Sequence, residues 1–144
     1  MTSNASSALF DTNIWLALAH TAHGHHRQAV AVLPEVGTGV LCRVTQMALL
    51  RLLTRPEVMG PDLVTPAQAW QHYHRLIKDG VASFMQEPPG LLEAWQEFSD
   101  VLPAASGNTW TDTYLAAFAK CARLPLVTFD RGFRKFPELD CRIL

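Results

Sequence analysis

Apolar positions along the chain fall in short solid blocks that alternate with helical stripes. Ala8-Leu9-Phe10 is a brief apolar run closed by Asp11, the pattern of a buried strand. Ile14–Ala19 continues with helical character as far as the break at Gly24, and a second helix is predicted from His25 to Leu33, stopping near Pro34. Gly37-Thr38-Gly39 reads as a turn and Val40-Leu41-Cys42 as the next buried strand. Thr45 is placed to cap a helix carrying Met47, Leu49, Leu50, Leu52 and Leu53, which ends before Pro56. Gly60-Pro61-Asp62 is predicted as loop, and Thr65-Pro66 opens a helix that closes near Gly80. Val81–Phe84 has the length of a short strand. After Pro88-Pro89-Gly90, a stripe of Leu91, Trp95, Phe98 and Leu102 leaves Glu93, Glu97 and Asp100 on the other side. Ser106-Gly107-Asn108 reads as loop, Thr109–Arg123 as helix, Leu124–Phe129 as strand, and a tail returns towards Leu144. Strands separated by helices predict an α/β fold with a mostly parallel sheet, and the absence of repeats or long linkers predicts one domain over residues 1–144.

Composition adds limits. Of 144 residues, 49% are hydrophobic and 17% charged, enough apolar material for a packed core. The formal net charge of −1 excludes an all-over basic coat for nucleic acid but not a local patch. Three cysteines (Cys42, Cys121 and Cys141) without CxxC spacing speak against a disulfide framework and fit a reducing compartment. Met1–Ser7 has neither a basic start nor a long apolar run, so a cytoplasmic protein without a membrane span is expected. Charge is also uneven. Six acids and no Lys or Arg lie between Lys78 and Lys120, whereas the last stretch gathers Lys120, Arg123, Arg131, Arg134, Lys135 and Arg142.

Candidate chemistry rests on carboxylates. Asp11 and Asp130 each follow an apolar strand, and in parallel α/β sheets the carboxyl ends of strands face the ligand crevice. Asp112 heads a helical stripe of Leu115, Ala119 and Ala122, where an acid is costly unless paired or bound to a cation. Gln46 repeats that pattern with Leu49, Leu50 and Leu53. Each has a plain structural reading: Asp11 and Asp130 as helix caps, Asp112 as a complement to a helix dipole, Gln46 as a buried amide. Together they point at one crevice, where mutual repulsion would raise carboxylate pKa values until a hard divalent ion such as Mg²⁺ neutralised them. His20, His23, His25 and His26 form a rival cluster, but their spacing matches no usual zinc signature. His72 and His74 do not share a helix face, Cys42 reads as packing, and the four tryptophans read as core or boundary residues.

With these residues in view the chain resembles a PIN-domain protein, and within that family a VapC-type toxin of bacterial toxin–antitoxin pairs. Phe10-Asp11-Thr12-Asn13-Ile14-Trp15-Leu16-Ala17-Leu18 is similar to the family's opening motif. His23-Gly24-His25-His26, followed by Ala29, resembles a stretch common in one VapC subgroup. Cys42-Arg43-Val44-Thr45-Gln46 with Leu49–Leu53 resembles the second motif, Thr111-Asp112-Thr113-Tyr114-Leu115-Ala116 the third, and Val127-Thr128-Phe129-Asp130-Arg131-Gly132-Phe133 the fourth. The order and number of matches make the likeness specific.

The resemblance implies a PIN-like α/β fold and metal-dependent endoribonuclease cleavage of a structured RNA, tRNA or rRNA, leaving a 5′-phosphate and a 3′-hydroxyl. It implies Asp11, Asp112 and Asp130 as ligands for Mg²⁺ or Mn²⁺, and Gln46 as a fourth site residue where many PIN domains carry Glu. Asn13, Thr111 and Thr128 are expected to orient those groups, and Arg131, Arg134 and Lys135 to hold RNA. A homodimer is implied, as is a VapB-like antitoxin that blocks the site and reaches operator DNA with its other end. A non-catalytic PIN module that binds RNA or a protein partner is the alternative that Gln46 favours, and a histidine-based metalloprotein is a third reading.

Overall fold

A computed structural model describes residues 6–105 and 107–144. Its strands are β1 (Ser7–Phe10), β2 (Thr38–Leu41), β3 (Ala82–Phe84), β4 (Leu126–Thr128) and β5 (Cys141–Ile143). The helices are α1 (Thr12–Ala19), α2 (His26–Val36), α3 (Arg43–Leu53), α4 (Pro56–Met59), α5 (Pro66–Lys78), α6 (Leu91–Asp100) and α7 (Trp110–Ala122). The sheet order is β3-β2-β1-β4-β5, and every pairing is parallel.

Side chains alternate across a strand, and here they feed two cores. Ala8, Phe10, Leu41 and Val127 pack on one face with α1, α2, α3 and α5. Leu9, Val40 and Leu126 pack on the other with α6 and α7. The seven consecutive buried residues Thr113–Ala119 follow from the position of α7, which lies against α6 as well as the sheet. Gly39 marks the tightest approach: a Cβ there would sit 2.6 Å from Phe10 ring carbons and 2.7 Å from the Trp15 ring. Nothing larger than glycine fits at that point of β2.

Several boundaries differ from the sequence expectation. Thr38 and Gly39 are strand rather than turn, because they pair with Ser7 and Ala8 of β1. Helix α2 runs through Pro34 to Val36 and ends at Gly37, whose positive φ suits a helix terminus. A proline in the last turn forfeits one backbone bond, but its fixed φ remains helical. Helix α3 begins at Arg43 with Cys42 as its cap, so Thr45 is not the N-cap. Its hydroxyl instead accepts from the Cys42 amide from three residues inside the helix. Gly60–Asp62 forms a 3₁₀ turn after α4 rather than open loop. Leu102 lies beyond the end of α6, whose buried stripe is Leu91, Ala94 and Phe98, with Trp95 only partly covered. Trp70 and Trp110 are exposed, and Trp15 is the fully buried tryptophan. Gly107–Thr109 is a 3₁₀ turn leading into α7, while Ser106 and residues 1–5 lie outside the described residues. No helix among the described residues is long and apolar enough to cross a membrane.

In this order the chain reverses direction across the sheet between β1 and β4. Loops leaving neighbouring strands there part to opposite faces, and ligands of open α/β sheets bind in the crevice so formed. The carboxyl ends of β1 and β4 are where Asp11 and Asp130 stand.

Candidate active site

Asp11 caps α1: one carboxylate oxygen accepts from the Thr12 amide at 2.7 Å. Its second oxygen accepts from the Thr128 hydroxyl at 2.8 Å, across the strand pair that sets Phe10 beside Val127. Thr128 is fully buried, and its hydroxyl oxygen in turn accepts from the Asp130 amide at 3.0 Å and the Asn13 side-chain amide at 3.4 Å. Asn13 accepts from the Phe129 amide at 3.4 Å. Asp11, Asn13 and Thr128 therefore form one hydrogen-bonded lattice that ties the start of α1 to the end of β4.

Burial is the main force raising the Asp11 pKa above the ordinary carboxylate value. The Thr128 and Thr12 hydrogen bonds oppose it, and the negative charges of Asp112 and Asp130 add to it. Asp112, in the first turn of α7, is also raised mainly by burial and further by Asp130, against the pull of Lys135. The three acids expected to converge do act on one another through charge.

Each carboxylate is nevertheless satisfied locally. Asp112 takes the Lys135 ammonium at 3.4 Å, and Asp130, exposed, caps a 3₁₀ turn by accepting from the Gly132 amide at 2.7 Å. As placed, no three His, Cys, Asp or Glu side chains among the described residues are grouped closely enough to hold a metal ion. The donor chemistry fits a hard cation: carboxylates flanked by hydroxyl and amide oxygens, with two acids made uncomfortable by burial and repulsion. Lys135 already supplies positive charge at that position. One oxygen of Asp112 faces Lys135 and one of Asp130 faces its own loop, so the three acids are not gathered on one point.

A cleft of about 650 Å³ opens beside Asp11, lined by Thr12, Asn13 and Thr111 and walled by Leu16, Val44, Met47 and Leu52. Thr111 thus reaches the crevice as expected. Gln46 is buried on α3, but among the described hydrogen bonds its amide oxygen accepts from Arg43 rather than meeting a carboxylate. Arg43 also lies 4.7 Å over the Phe84 ring. Of the basic trio, Lys135 reaches an acid, while Arg131 and Arg134 are exposed on the adjoining 3₁₀ turn. Sequence reasoning passed over Arg43, although its i, i+3 spacing from Gln46 on one helix was a readable signal.

The PIN domain family matches residues 8–139, which takes in all four carboxylate- and Gln46-bearing segments. The chain belongs to the PIN-domain family. Among its relatives, Ribonuclease VapC41 of Mycobacterium tuberculosis is 41% identical over 144 residues, covering 94% of this chain and 97% of that protein. Ribonuclease VapC38 of the same species is 30% identical over 129 residues, covering 87% and 86%. These relatives place the chain with the VapC-type PIN domains. Two solved structures share its fold at low identity. VapBC2 from Rickettsia felis, bound to a DNA fragment from its promoter, has a TM-score of 0.66 at 13% identity, covering 95% of this chain and 98% of that one. A toxin–antitoxin complex from Klebsiella pneumoniae has a TM-score of 0.59 at 20% identity, covering 94% and 95%. The PIN-like α/β architecture expected from the sequence is thus the one observed.

Proposed function

We propose that this PIN domain is a divalent-metal-dependent endoribonuclease, the toxin of a VapBC-type pair, cutting phosphodiester bonds of a structured RNA such as tRNA or rRNA in the cytoplasm. The observation that carries the proposal is the set of mutually repelling carboxylates at the β1–β4 reversal, two of them held above their ordinary pKa. The 41% identity to a protein named as a ribonuclease supports the same reading.

In this mechanism Asp11, Asp112 and Asp130 would hold Mg²⁺ or Mn²⁺. A divalent ion there supplies Lewis acidity and positive charge to a reacting phosphate and its attacking water. Thr128 and Asn13 fix the direction of the Asp11 carboxylate before substrate arrives, so no reorganisation is needed during the reaction. One carboxylate takes a proton from the water whose oxygen bonds to phosphorus as the P–O3′ bond breaks, and the departing O3′ takes a proton from solvent, giving a 5′-phosphate and a 3′-hydroxyl. Thr111 lines the approach to Asp11, and Gln46 hydrogen-bonds a ligand or water without adding charge. Lys135, once released from Asp112, joins Arg131 and Arg134 in offsetting the repulsion between an acidic cleft and a polyanion. A VapB-like antitoxin covering the cleft, a homodimer, and contact with operator DNA only through the antitoxin belong to the same proposal.

A second reading, a non-catalytic PIN module that binds RNA or a protein partner, is favoured by Gln46, which is neutral and engaged with Arg43. One experiment separates the two. Purified protein is incubated with total RNA and Mg²⁺ or Mn²⁺ beside Asp11→Ala and Asp112→Ala variants checked for folding. Cleavage by the parent and its loss in both variants supports the nuclease. Equal cleavage by all three refutes the site, and binding without turnover supports the second reading.

A further inference from the structure

The four histidines from the end of α1 to the start of α2 are unexplained by the carboxylate chemistry. They do not assemble a metal site among the described residues. Their nitrogens serve instead to fix the rings. His20 Nε2 meets the Asp62 carboxylate at 2.9 Å, and His23 Nδ1 accepts from the His25 amide at 3.0 Å. His25 Nδ1 pairs with Gln28 Oε1 at 2.6 Å, and His26 Nδ1 with the Ala17 carbonyl at 2.7 Å.

One nitrogen of each ring is engaged in this way, and the rings of three of these histidines form a series with Phe129. The His25 ring lies 4.8 Å from the Phe129 ring at 30°, His23 lies 5.8 Å from His25 at 45°, and His20 lies 6.4 Å from His23 at 77°. The series starts at the site itself, because Phe129 stands between Thr128 and Asp130 and its amide is bonded to Asn13. Its middle meets solvent: His25 is exposed and His23 half-buried, while the His20 side chain at the far end is 13% exposed. Since His23 meets His25 at 45°, neither ring covers the other's whole face. Burial and the neighbouring histidines push the His23 pKa down, which favours its neutral ring.

We propose that Phe129, His25 and His23 form a stacking surface for unpaired bases of the RNA strand that flank the cleaved bond. The inference deepens the nuclease reading and rests on it. Arg131, Arg134 and Lys135 offset the repulsion of the phosphates by charge alone, and contact with the bases adds a hold that charge does not supply. Aromatic faces accept any base, and only unpaired, splayed bases can reach them. The substrate class is therefore RNA single-stranded beside the cut, a loop or a bulge, rather than a continuous duplex.

The test uses the full chain carrying Asp112→Asn, so that RNA stays intact, with a short single-stranded RNA labelled with 2-aminopurine at successive positions. Stacking quenches that fluorophore. Quenching is expected at one or two neighbouring positions, with little binding of a blunt RNA duplex. His25→Ala is expected to abolish the quench and weaken binding about 5- to 150-fold, the span of base–aromatic stacking. His25→Phe, which keeps the ring and loses the Gln28 bond, is expected to restore both. Unchanged binding and quenching in His25→Ala overturns the inference. So does a His25→Phe variant no better than alanine, since the ring would then matter only for holding its loop. Cleavage by chains with the native Asp112 is scored separately. If it depends on Asp11 while His25→Ala binds normally, the stacking surface is wrong and the nuclease stands. If it does not depend on Asp11, the nuclease reading itself has failed.

Discussion

Replacing Lys135 by methionine separates two roles of one side chain. The Lys135 ammonium stands 3.4 Å from Asp112, with the two side chains 33% and 22% exposed. At an effective dielectric of about 20, Coulomb's law gives roughly 5 kcal/mol of gross attraction at this distance. Desolvation, side-chain entropy and salt reduce the net value of such a partly exposed pair to about 1 kcal/mol. Methionine keeps an apolar stem and deletes the charge, together with the ammonium's place 5.3 Å over the Phe136 ring. The metal-free variant is therefore expected to lose about 1 kcal/mol in urea unfolding. The sign reverses for metal. Without a competing cation on Asp112, Mn²⁺ affinity is expected to rise about fivefold, the factor equivalent to about 1 kcal/mol. Calorimetric titration with Mn²⁺ in low salt reads this directly, and the gain should shrink as salt is added. Weaker or unchanged Mn²⁺ binding in Lys135→Met would refute the idea that Lys135 occupies the place of the ion.

Two further outcomes follow from the Asp11 lattice. Asp11 and Asp112 have folded-state pKa values above the ordinary 3.8, so in chelator the folded protein holds extra protons between that value and the raised ones. Their contribution to stability is fully present below the ordinary pKa and is lost as pH rises through the folded values. Urea unfolding of parent and Asp11→Asn between about pH 4 and 7 should show the variant gaining relative stability as pH rises, because asparagine keeps the cap without the charge. A flat difference would contradict the burial argument. Thr128→Val removes the donor to Asp11 and leaves the Asp130 amide without its Thr128 oxygen. A loss of about 2–4 kcal/mol is expected in unfolding, together with a loss of cleavage. A variant as stable as the parent would show the hydroxyl to be dispensable.

Much of this site could be read from the chain because it depends on strand ends. Apolar runs closed by Asp11 and near Asp130 located the crevice, and the parallel register then delivered Thr128 to Asp11. The structural readings were right at the same time: Asp11 and Asp130 do cap the turns that follow them. What escaped was set by tertiary contact. Thr38 and Gly39 look like a turn until β1 and β3 pair with them. Pro34 looks like a stop, yet the helix carries it within its last turn. The Lys135–Asp112 pair joins residues 23 apart in sequence, which no local pattern encodes. Gln46 lies on the buried stripe that its spacing predicts, but its amide oxygen accepts from Arg43, a neighbour on its own helix.

The central claim is that Asp11 and Asp112 hold one cation between them. Its most direct test is calorimetric titration of Mn²⁺ into the metal-free parent and into folded Asp11→Asn and Asp112→Asn proteins. Saturable binding in the parent, weakened about tenfold or more in each variant, is the expected result. Two variants that bind Mn²⁺ as the parent does would contradict it.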